Sequence, residues 1–157
     1  MRKLEKVRGF EAVIKEFRKD GKGYVIPVRA DSRSAGYDIS TPITVTIPPK
    51  GKVLIWSNIK AYMQEDEVLE LYVRSSIGIK KGIVLSNTVG IIDSSYYSNP
   101  DNDGNLGLAL YNTSDTEVTL EAGERVCQGI FKKYLVADND ITLNKDRVGG
   151  IGSTGSK

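Results

Sequence analysis

Five segments of the chain combine residue types that bind phosphate, activate water or contact a flat heterocycle. In chain order, they are Ser34–Ile39, Arg74–Gly78, Gly82–Tyr97, Gly123–Ile130 and Val148–Gly155. In the second segment a cation, Arg74, precedes two hydroxyls, Ser75 and Ser76, which suits donors around a phosphate. A surface turn with a structural arginine fits the same residues equally well. The segment by itself leaves both interpretations open.

The third segment is the most informative of the five. An apolar stretch, Gly82–Leu85, leads into Asn87-Thr88-Val89-Gly90, and a second apolar pair then precedes Asp93. This pattern predicts a β-hairpin with an amide at its tip and an acid on its return strand. A carboxylate in that position can accept a proton from an attacking water. Asp93 in a turn, and Tyr96 as a core or interface aromatic, are the plainer interpretations.

The remaining segments are weaker signals taken alone. Asp38 follows Gly36 in a Gly-x-Asp pattern that is typical of an ordinary turn. Gln128 lies among apolar residues, and a buried amide needs a partner, either a phosphate oxygen or a backbone group. The glycine-rich tail has the composition of a phosphate-wrapping loop or of a flexible terminus, and the basic Arg147 before it slightly favours an anionic target.

The composition excludes several classes of chemistry. The chain has no histidine, so a Ser-His-Asp triad, a Cys-His pair and a histidine-ligated zinc site are impossible. The single cysteine, Cys127, cannot form an internal disulfide and is predicted to be a small buried hydrophobe. The 22 basic and 20 acidic residues are scattered, which argues against nucleic-acid binding. Neither a long apolar run nor a signal-like N-terminus occurs, so we expect no membrane contact and a cytoplasmic location.

Short strands separated by turn residues dominate the rest of the pattern and predict an all-β jelly roll or barrel. The predicted strands are Thr44–Ile47, Lys52–Trp56, Val68–Val73, Gly82–Leu85, Leu106–Tyr111, Glu117–Leu120 and Val126–Tyr134. The segment Gly9–Arg18 fits either a strand or a helix face, and its alternation favours a strand. No comparable helix is predicted. We expect one domain over residues 1–157, with a β-barrel core at 1–143 and a mobile glycine-rich arm at 144–157.

Taken together and in order, the five segments resemble the five motifs of the trimeric dUTPase family. The resemblance runs from Ser34 to Gly155. The residues that carry it are Ala35-Gly36-Tyr37-Asp38, Arg74-Ser75-Ser76, Asn87 with Gly90-Ile91-Ile92-Asp93 and Tyr96, Gly123-Glu124-Arg125 with Gln128, and Gly149-Gly150 with Gly152-Ser153-Thr154-Gly155. It implies a distorted jelly-roll fold with a flexible C-terminal arm, and hydrolysis of dUTP to dUMP and pyrophosphate.

The resemblance also implies a role for each site residue. Asp93 would activate the water that attacks the α-phosphorus in line. Asn87, Gly90 and the surrounding backbone would bind uracil, and Tyr96 would pack on the deoxyribose and exclude a 2'-hydroxyl. The implied phosphate and nucleotide contacts come from Arg74, Ser75, Ser76, Gln128, Arg147, Ile151, Gly152, Ser153 and Thr154.

The implied metal is Mg²⁺, held by the triphosphate and its waters, with Asp38 nearby and no direct protein ligand. The implied assembly is a homotrimer with sites between subunits. One chain would supply the first, second and fourth motifs, another the third, and a third chain the arm.

Two departures from the family pattern stand out. Ile151 occupies the position where the arm usually carries an aromatic that stacks on uracil, which predicts weaker closure over the substrate. The residues after Tyr96, from Tyr97 to Asn105, replace a short turn by a longer polar loop, here called the 97–105 loop, which we expect to be solvated. This loop is similar to that of dUTPases from Gram-positive bacteria and their phages, although Ser98 replaces a glycine.

Three alternatives compete with this interpretation. A dCTP deaminase shares the fold but needs a glutamate three residues before an asparagine. With Asn112 as that asparagine, the position holds Ala109. A regulatory protein of the dUTPase fold, acting through a protein partner, is the second. A structural jelly-roll module, in which the ordered motifs would be coincidental, is the third.

Overall fold

The computed structural model describes residues 5–156, so residues 1–4 and 157 of the predicted domain lie outside it. Within residues 5–156 there are twelve strands, one α-helix and two short 3-10 helices at Lys15–Phe17 and Ser94–Tyr96. The strands are β1 (Gly9–Ala12), β2 (Val28–Arg29), β3 (Tyr37–Ser40), β4 (Val45–Ile47), β5 (Lys52–Trp56), β6 (Ile59–Tyr62), β7 (Glu67–Val73), β8 (Ile83–Leu85), β9 (Gly90–Asp93), β10 (Gly107–Asn112), β11 (Val118–Leu120) and β12 (Arg125–Lys133). The helix, α1, spans Ser75–Lys81. The prediction of a β-rich chain is confirmed.

Antiparallel ladders join the strands into four sheets. The largest has the order β2-β3-β12-β7-β9, a second has the order β5-β10-β8, and β1-β6 and β4-β11 form pairs. Alternation of buried and half-buried residues along β10 directs Leu108 and Leu110 into the core. Apolar side chains from all four sheets meet in one buried cluster, which includes Ile39, Ile55, Leu69, Leu108 and Leu120.

Most strand predictions are confirmed. Lys52–Trp56 matches β5 at both ends, and the predictions for β4, β7, β8, β10, β11 and β12 hold to within one residue at each end. Regular alternation in a half-buried strand makes this signal readable from sequence alone.

The prediction of a strand over Gly9–Arg18 is right only for its first part. Strand β1 ends at Ala12 because the next backbone donors find other partners. The Val13 N–H bonds to the Asn58 carbonyl, and the Ile14 N–H bonds to Asp103 Oδ2 at 2.8 Å. A 3-10 turn follows instead of further pairing.

Helix α1 was not predicted. It begins directly after Arg74 and ends at Gly82, which has φ of +67°, a left-handed conformation that favours glycine. Gly82 is therefore the helix cap and not the first residue of β8. Lys80 and Lys81 in the last turn complement the helix dipole.

The prediction of a turn around Asp38 is wrong. Residues Tyr37–Ser40 form β3, which lies inside the largest sheet between β2 and β12. The short strands β2 and β6 were also missed. Polar residues such as Asp38 and Lys60 obscure the apolar signal of β3 and β6, although both side chains are buried.

The 97–105 loop is not solvated as predicted. Asn99, Asn102, Asp103 and Asn105 are buried, and their side chains are hydrogen bonded within the chain. Asp103 forms an ion pair with Lys60 at 2.9 Å, and the two side chains are 9% and 8% exposed. Most of the loop therefore packs into the folded protein, while Ser98, Pro100 and Asp101 stay exposed.

The predicted burial of Cys127 is confirmed. The side chain is fully buried on β12, and burial raises the pKa of its thiol to about 12. The thiol is therefore protonated and inert at neutral pH.

The buried pair leads to a stability prediction. Lys60→Met leaves the Asp103 carboxylate buried without its cation, and we expect a loss of about 3 kcal/mol in the free energy of unfolding. Urea unfolding at matched protein concentration measures it. Lys133→Met is the control, because the Lys133–Asp66 pair is 74% and 60% exposed and should contribute less than about 1 kcal/mol. Equal losses in the two variants would contradict the assignment.

Candidate active site

The predicted site residues fall into two groups on the chain. One group surrounds a cavity of about 480 Å³ beside Asp93, here called the Asp93 cavity. Its lining includes Asn87, Gly90, Asp93, Tyr96, Arg147, Ile151 and Gly152. The second group lies at the end of β7, around Arg74 and Asp38.

The Asp93 cavity is built by a tight turn between two sheets. The Thr88 N–H bonds to the Leu85 carbonyl, and Thr88 has φ of +68°. The predicted hairpin is wrong in its pairing, because β8 pairs with β10 whereas β9 pairs with β7. The turn crosses from one sheet to the other. The gap between β8 and β9 is therefore open to a ligand, with Leu54, Leu85 and Ala109 forming its apolar wall.

Gly90 is required by packing. A Cβ atom there would lie 2.9 Å from the Leu71 Cβ across the β7–β9 ladder. Gly90, which has no side chain, contributes its backbone to the lining of the cavity.

Two hydrogen bonds hold the hydroxyl group of Tyr96 in place. The phenol donates to the Asn105 carbonyl at 2.6 Å and accepts from Asn102 Nδ2 at 2.8 Å. Burial raises the pKa of the Tyr96 phenol, against the opposing effects of the Asn102 bond and of Arg147. The side chain is therefore a neutral, fixed wall of the cavity, with 5% exposure.

The C-terminal arm lies against the same cavity. Arg147 donates to Asp93 Oδ2 at 3.1 Å, and its guanidinium carbon lies 5.2 Å from the centre of the Tyr96 ring. The Arg147 side chain is 10% exposed, whereas Asp93 is 55% exposed. Ile151 and Gly152 reach the cavity, while Ser153 bonds to the Gly149 carbonyl and Thr154 is exposed outside the lining. The arm thus contacts the Asp93 segment of its own chain.

The second group is organised by the buried carboxylate of Asp38. Its Oδ1 lies 3.1 Å from Arg74 Nε, and its Oδ2 lies 3.1 Å from Arg125 Nη1. We call these three residues the arginine cluster. Arg125 belongs to the fourth segment, where the sequence predicts no role for it, and the β3–β12 ladder brings it to Asp38. Because Asp38 is bonded to two guanidinium groups, its first function is to position them.

Ser75, Ser76 and Gln128 flank the arginine cluster. The two serines are exposed in the first turn of α1, and Gln128 lies opposite Asp38 on the neighbouring strand. Gln128 is half-buried, which corrects the prediction of a buried amide. A register shift in β12 between Arg125 and Cys127 sets this alignment.

The arginine cluster and Asp93 are far apart on one chain. Asp93 is paired with Val68 of β7, whereas Gln128 is paired with Tyr72, and Arg74 follows the end of that strand. At about 3.3 Å per residue, the strand separates Val68 from Arg74 by roughly 20 Å. This is longer than a triphosphate chain.

Residues 5–156 contain no group of three or more potential metal ligands of the His, Cys, Asp or Glu type. In the same part of the chain, no helix is long and apolar enough to cross a bilayer.

Comparison with known proteins identifies the family. A family profile described as dUTPase matches residues 23–155. The chain belongs to the dUTPase family. It is 50% identical over 152 residues to the deoxyuridine 5'-triphosphate nucleotidohydrolase of Lactococcus lactis, covering 96% of this chain and 99% of the relative.

Solved dUTPase structures agree with this assignment. The crystal structure of the Streptococcus mutans dUTPase matches with a TM-score of 0.73 and 43% identity, covering 83% of this chain and 98% of that one. A mutant dUTPase of phage phi11 of S. aureus, described with a structural Mg(II) ion, matches with a TM-score of 0.69. At 18% identity, with 88% and 98% of the two chains covered, that match shows the fold alone. The predicted dUTPase-like jelly roll and the resemblance to Gram-positive and phage forms are confirmed.

Two residues that contact the candidate site were not predicted from the sequence. Asp101 and Asn102 of the 97–105 loop contact the arm and Tyr96 respectively. The clustering of asparagine and aspartate in the loop was visible, but it is equally typical of a surface turn.

A substitution at Gly36 tests the position of Gln128. A Cβ atom at Gly36 would lie 2.3 Å from Gln128 Oε1 and 2.9 Å from its Cβ. Gly36→Ala must therefore displace Gln128, and we expect the KM for dUTP to rise about threefold to tenfold. Gly23→Ala is the matched control, because no atom lies within 4 Å of its new methyl group. An unchanged KM in Gly36→Ala would remove Gln128 from substrate binding.

Proposed function

We propose that this chain, a dUTP diphosphatase by family, hydrolyses dUTP to dUMP and pyrophosphate in an active site shared between copies of a homotrimer. The observation that carries the proposal is the separation of Asp93 from the arginine cluster along β7. A single triphosphate must contact both, and one chain cannot bring them together. A second copy that apposes its arginine cluster to the Asp93 cavity completes the site.

Asp93 is the proposed general base. Its carboxylate is accessible at the cavity mouth, where it can accept a proton from a water molecule. The water oxygen forms a bond to the α-phosphorus, the bond from that phosphorus to the bridging oxygen breaks, and pyrophosphate leaves. Before the nucleotide binds, Arg147 donates to the Asp93 carboxylate. When the attacking water replaces Arg147 at that carboxylate, the guanidinium group becomes available to the phosphates.

The Asp93 cavity is the proposed nucleoside site. Asn87 and the peptide groups at Gly90 offer donors and acceptors in a fixed pattern to the edge of uracil, and a tight backbone wall leaves no room for a C5 methyl. Tyr96 packs on the deoxyribose and leaves no room for a 2'-hydroxyl. Ala109 lines the cavity at the position where deamination would require a glutamate.

The arginine cluster and its flanking residues form the proposed phosphate site. Arg74, Ser75, Ser76 and Gln128 supply a cation, two hydroxyls and an amide around the phosphate oxygens. Asp38 fixes the two guanidinium groups, so that they need not reorganise when the anion binds.

Magnesium is proposed to enter with the nucleotide. The described residues contain no protein cage for a metal, and the Asp38 carboxylate is already bonded to two arginines. A cation held by phosphate oxygens and water would neutralise charge on the triphosphate without a protein ligand.

The arm is proposed to close over the bound nucleotide and to come from a third copy. The linker before it, residues 134–143, has no regular structure and exposes Leu135, Ile141 and Leu143 to 96%, 87% and 84%. Such apolar exposure favours burial against another copy. Exchange between copies would preserve the contacts of Arg147 and Ile151 at a cavity of identical residues. Residues 1–143 would then act as the core of one domain, with 144–157 as a mobile arm that also brings Ser153 and Thr154 to the phosphates.

We further propose a cytoplasmic location, where dUTP is a substrate. The alternative of a regulatory protein acting on a protein partner is distinguished by whether partner binding needs the 97–105 loop or survives the loss of Asp93. Four of the asparagine and aspartate side chains in that loop are buried, so little of it is available to such a partner. Loss of partner binding in a loop variant that retains dUTP turnover would revive this alternative.

Substitution of the base is the most direct test. Asp93→Asn keeps the size of the side chain and loses the proton acceptor, so we expect dUTP binding to persist and kcat to fall by at least about 100-fold. Pyrophosphate release from dUTP, dTTP, dCTP and UTP with magnesium is measured for both proteins. Turnover of dUTP alone by the unmodified chain is expected. A fully active Asp93→Asn would exclude Asp93 as the base.

Mixed oligomers test the shared site. Asp93→Asn and Arg74→Ala are each expected to be inactive, but co-expression with different tags should give trimers in which about one site in four has both residues intact. Recovery of roughly a quarter of the normal activity supports sites between copies. No recovery, in hybrids shown to contain both chains, would place the whole site within one chain.

Metal removal tests the role of the nucleotide in binding magnesium. We expect EDTA to lower turnover by more than about tenfold and added Mg²⁺ to restore it. Calorimetry should detect Mg²⁺ binding with a non-hydrolysable dUTP analogue but not with the free protein. Tight binding of Mg²⁺ to the free protein would contradict the proposal.

A further inference from the structure

Apart from Tyr97, the 97–105 loop lies outside the five segments that carry the proposed activity, yet it contacts two of them. Residues Asn99 to Asn105 fold back on Tyr96 through hydrogen bonds from Asn99 Nδ2 to the Tyr96 carbonyl and from Tyr96 to the Asn105 carbonyl. The adjacent residues Asp101 and Asn102 point to different partners. One contacts the arm and the other contacts the phenol of Tyr96.

Asn102 fixes the position of the Tyr96 ring. Its Nδ2 donates to the phenol oxygen at 2.8 Å, while its Oδ1 accepts from Asn99 Nδ2 at 2.7 Å and from the Gly104 N–H at 3.0 Å. Each polar atom of the amide therefore has a partner. The phenol proton is donated to the Asn105 carbonyl. An acceptor atom in place of Asn102 Nδ2 would therefore face the lone pairs of the phenol oxygen and repel that oxygen.

Asp101 holds the arm beside this amide. Its Oδ2 accepts from the Gly150 N–H at 2.9 Å. A Cβ atom at Gly149 would lie 2.2 Å from the same oxygen, and one at Gly150 would lie 3.0 Å from Asn102 Nδ2. The two buried glycines therefore fit directly against Asp101 and Asn102.

The loop is itself rigidly supported. Lys60 bonds to both oxygens of Asp103, and the Asn105 side chain pairs with Asn58 through two hydrogen bonds. Positions held by such a network transmit a displacement instead of absorbing it.

We propose that Asn102 and Asp101 are positioning residues of the active site: Asn102 holds Tyr96 against the sugar, and Asp101 holds the closed arm through the Gly150 amide. This inference rests on the proposed function. It assigns to one short loop both the discrimination against a ribose and the closure of the arm, and it holds whichever copy supplies the arm.

Asn102→Asp tests the first half of the proposal. The variant keeps the Oδ1 acceptor and replaces the donor to Tyr96 by an acceptor. We expect the preference for dUTP over UTP, as a ratio of kcat/KM values, to fall about tenfold, while the preference for dUTP over dCTP stays unchanged. Tyr96→Phe should show the same loss, and adding Asn102→Asp to it should have little further effect. Unchanged discrimination in a folded Asn102→Asp, or independent losses in the double variant, would overturn the role of Asn102.

A second cycle tests the arm contact. Gly149→Ala places a methyl group against Asp101, so we expect the KM for dUTP to rise about tenfold in the unmodified background. Asp101→Ala should also raise KM, with a smaller effect on kcat, because it loses the bond to Gly150. In the double variant the added methyl has room, so Gly149→Ala should cost less than about twofold. Additive effects would overturn the role of Asp101.

The two cycles remain informative if one variant fails to fold. If Asn102→Asp does not give a folded oligomer by circular dichroism and size-exclusion chromatography, Tyr96→Phe decides the first half: retained discrimination against UTP overturns it and lost discrimination supports it. Absence of dUTP turnover in the unmodified protein would instead contradict the proposed function. The two failures are therefore distinguishable.

Discussion

Backbone pairing of β7 on both of its edges governs the geometry of the whole site. Strand β7 forms one ladder with β12, which carries Gln128 and Arg125, and another with β9, which ends at Asp93. Because a hydrogen-bonded strand cannot shorten, the distance between the two halves of the site is fixed by the ladder registers. In the function proposed above, the half around Asp93 binds the nucleoside and the half around Arg74 binds the phosphates, and one chain cannot apply both halves to the same substrate molecule. This separation is the reason for proposing that copies of the chain associate to complete the site.

Two buried carboxylates, Asp38 and Asp103, organise ion pairs in different parts of this protein. Asp38 brings two guanidinium groups together, and this creates a concentrated positive site on a chain whose overall charge is nearly balanced. Lys60 and Asp103 form an ion pair that is buried on both sides, and this pair holds the 97–105 loop against the barrel. The two pairs of Asp38 belong to the proposed phosphate site, whereas the Lys60–Asp103 pair supports the loop that packs against Tyr96. Neither arrangement requires a histidine, which the chain lacks.

The 97–105 loop shows how polar residues can form part of a core. Asn58, Asn99, Asn102 and Asn105 are buried, and each carries side-chain hydrogen bonds that replace those lost to water. A network of this kind has one arrangement that satisfies all its members, so it is more specific than apolar packing. This property suits the role proposed for the loop, which is to hold Tyr96 at one position.

The order of residues along the chain was enough to establish the β-rich class, most strand positions and the motifs that mark the family. Alternation along β5, β7 and β10 is a local signal, and the ordered motif residues occupy fixed places in the chain. Sequence reasoning failed where the outcome depends on partners distant in the chain. Asp38 lies on a strand because β12 pairs with it, β8 and β9 separate because each has another neighbour, and the 97–105 loop is buried because Lys60 and Asn58 meet it. The sequence by itself identified the residues that could take part in chemistry, because residue type and order are local properties of the chain. Only the tertiary structure divided these residues into one group around Asp93 and another around Arg74, because the sheet registers set the distances between them.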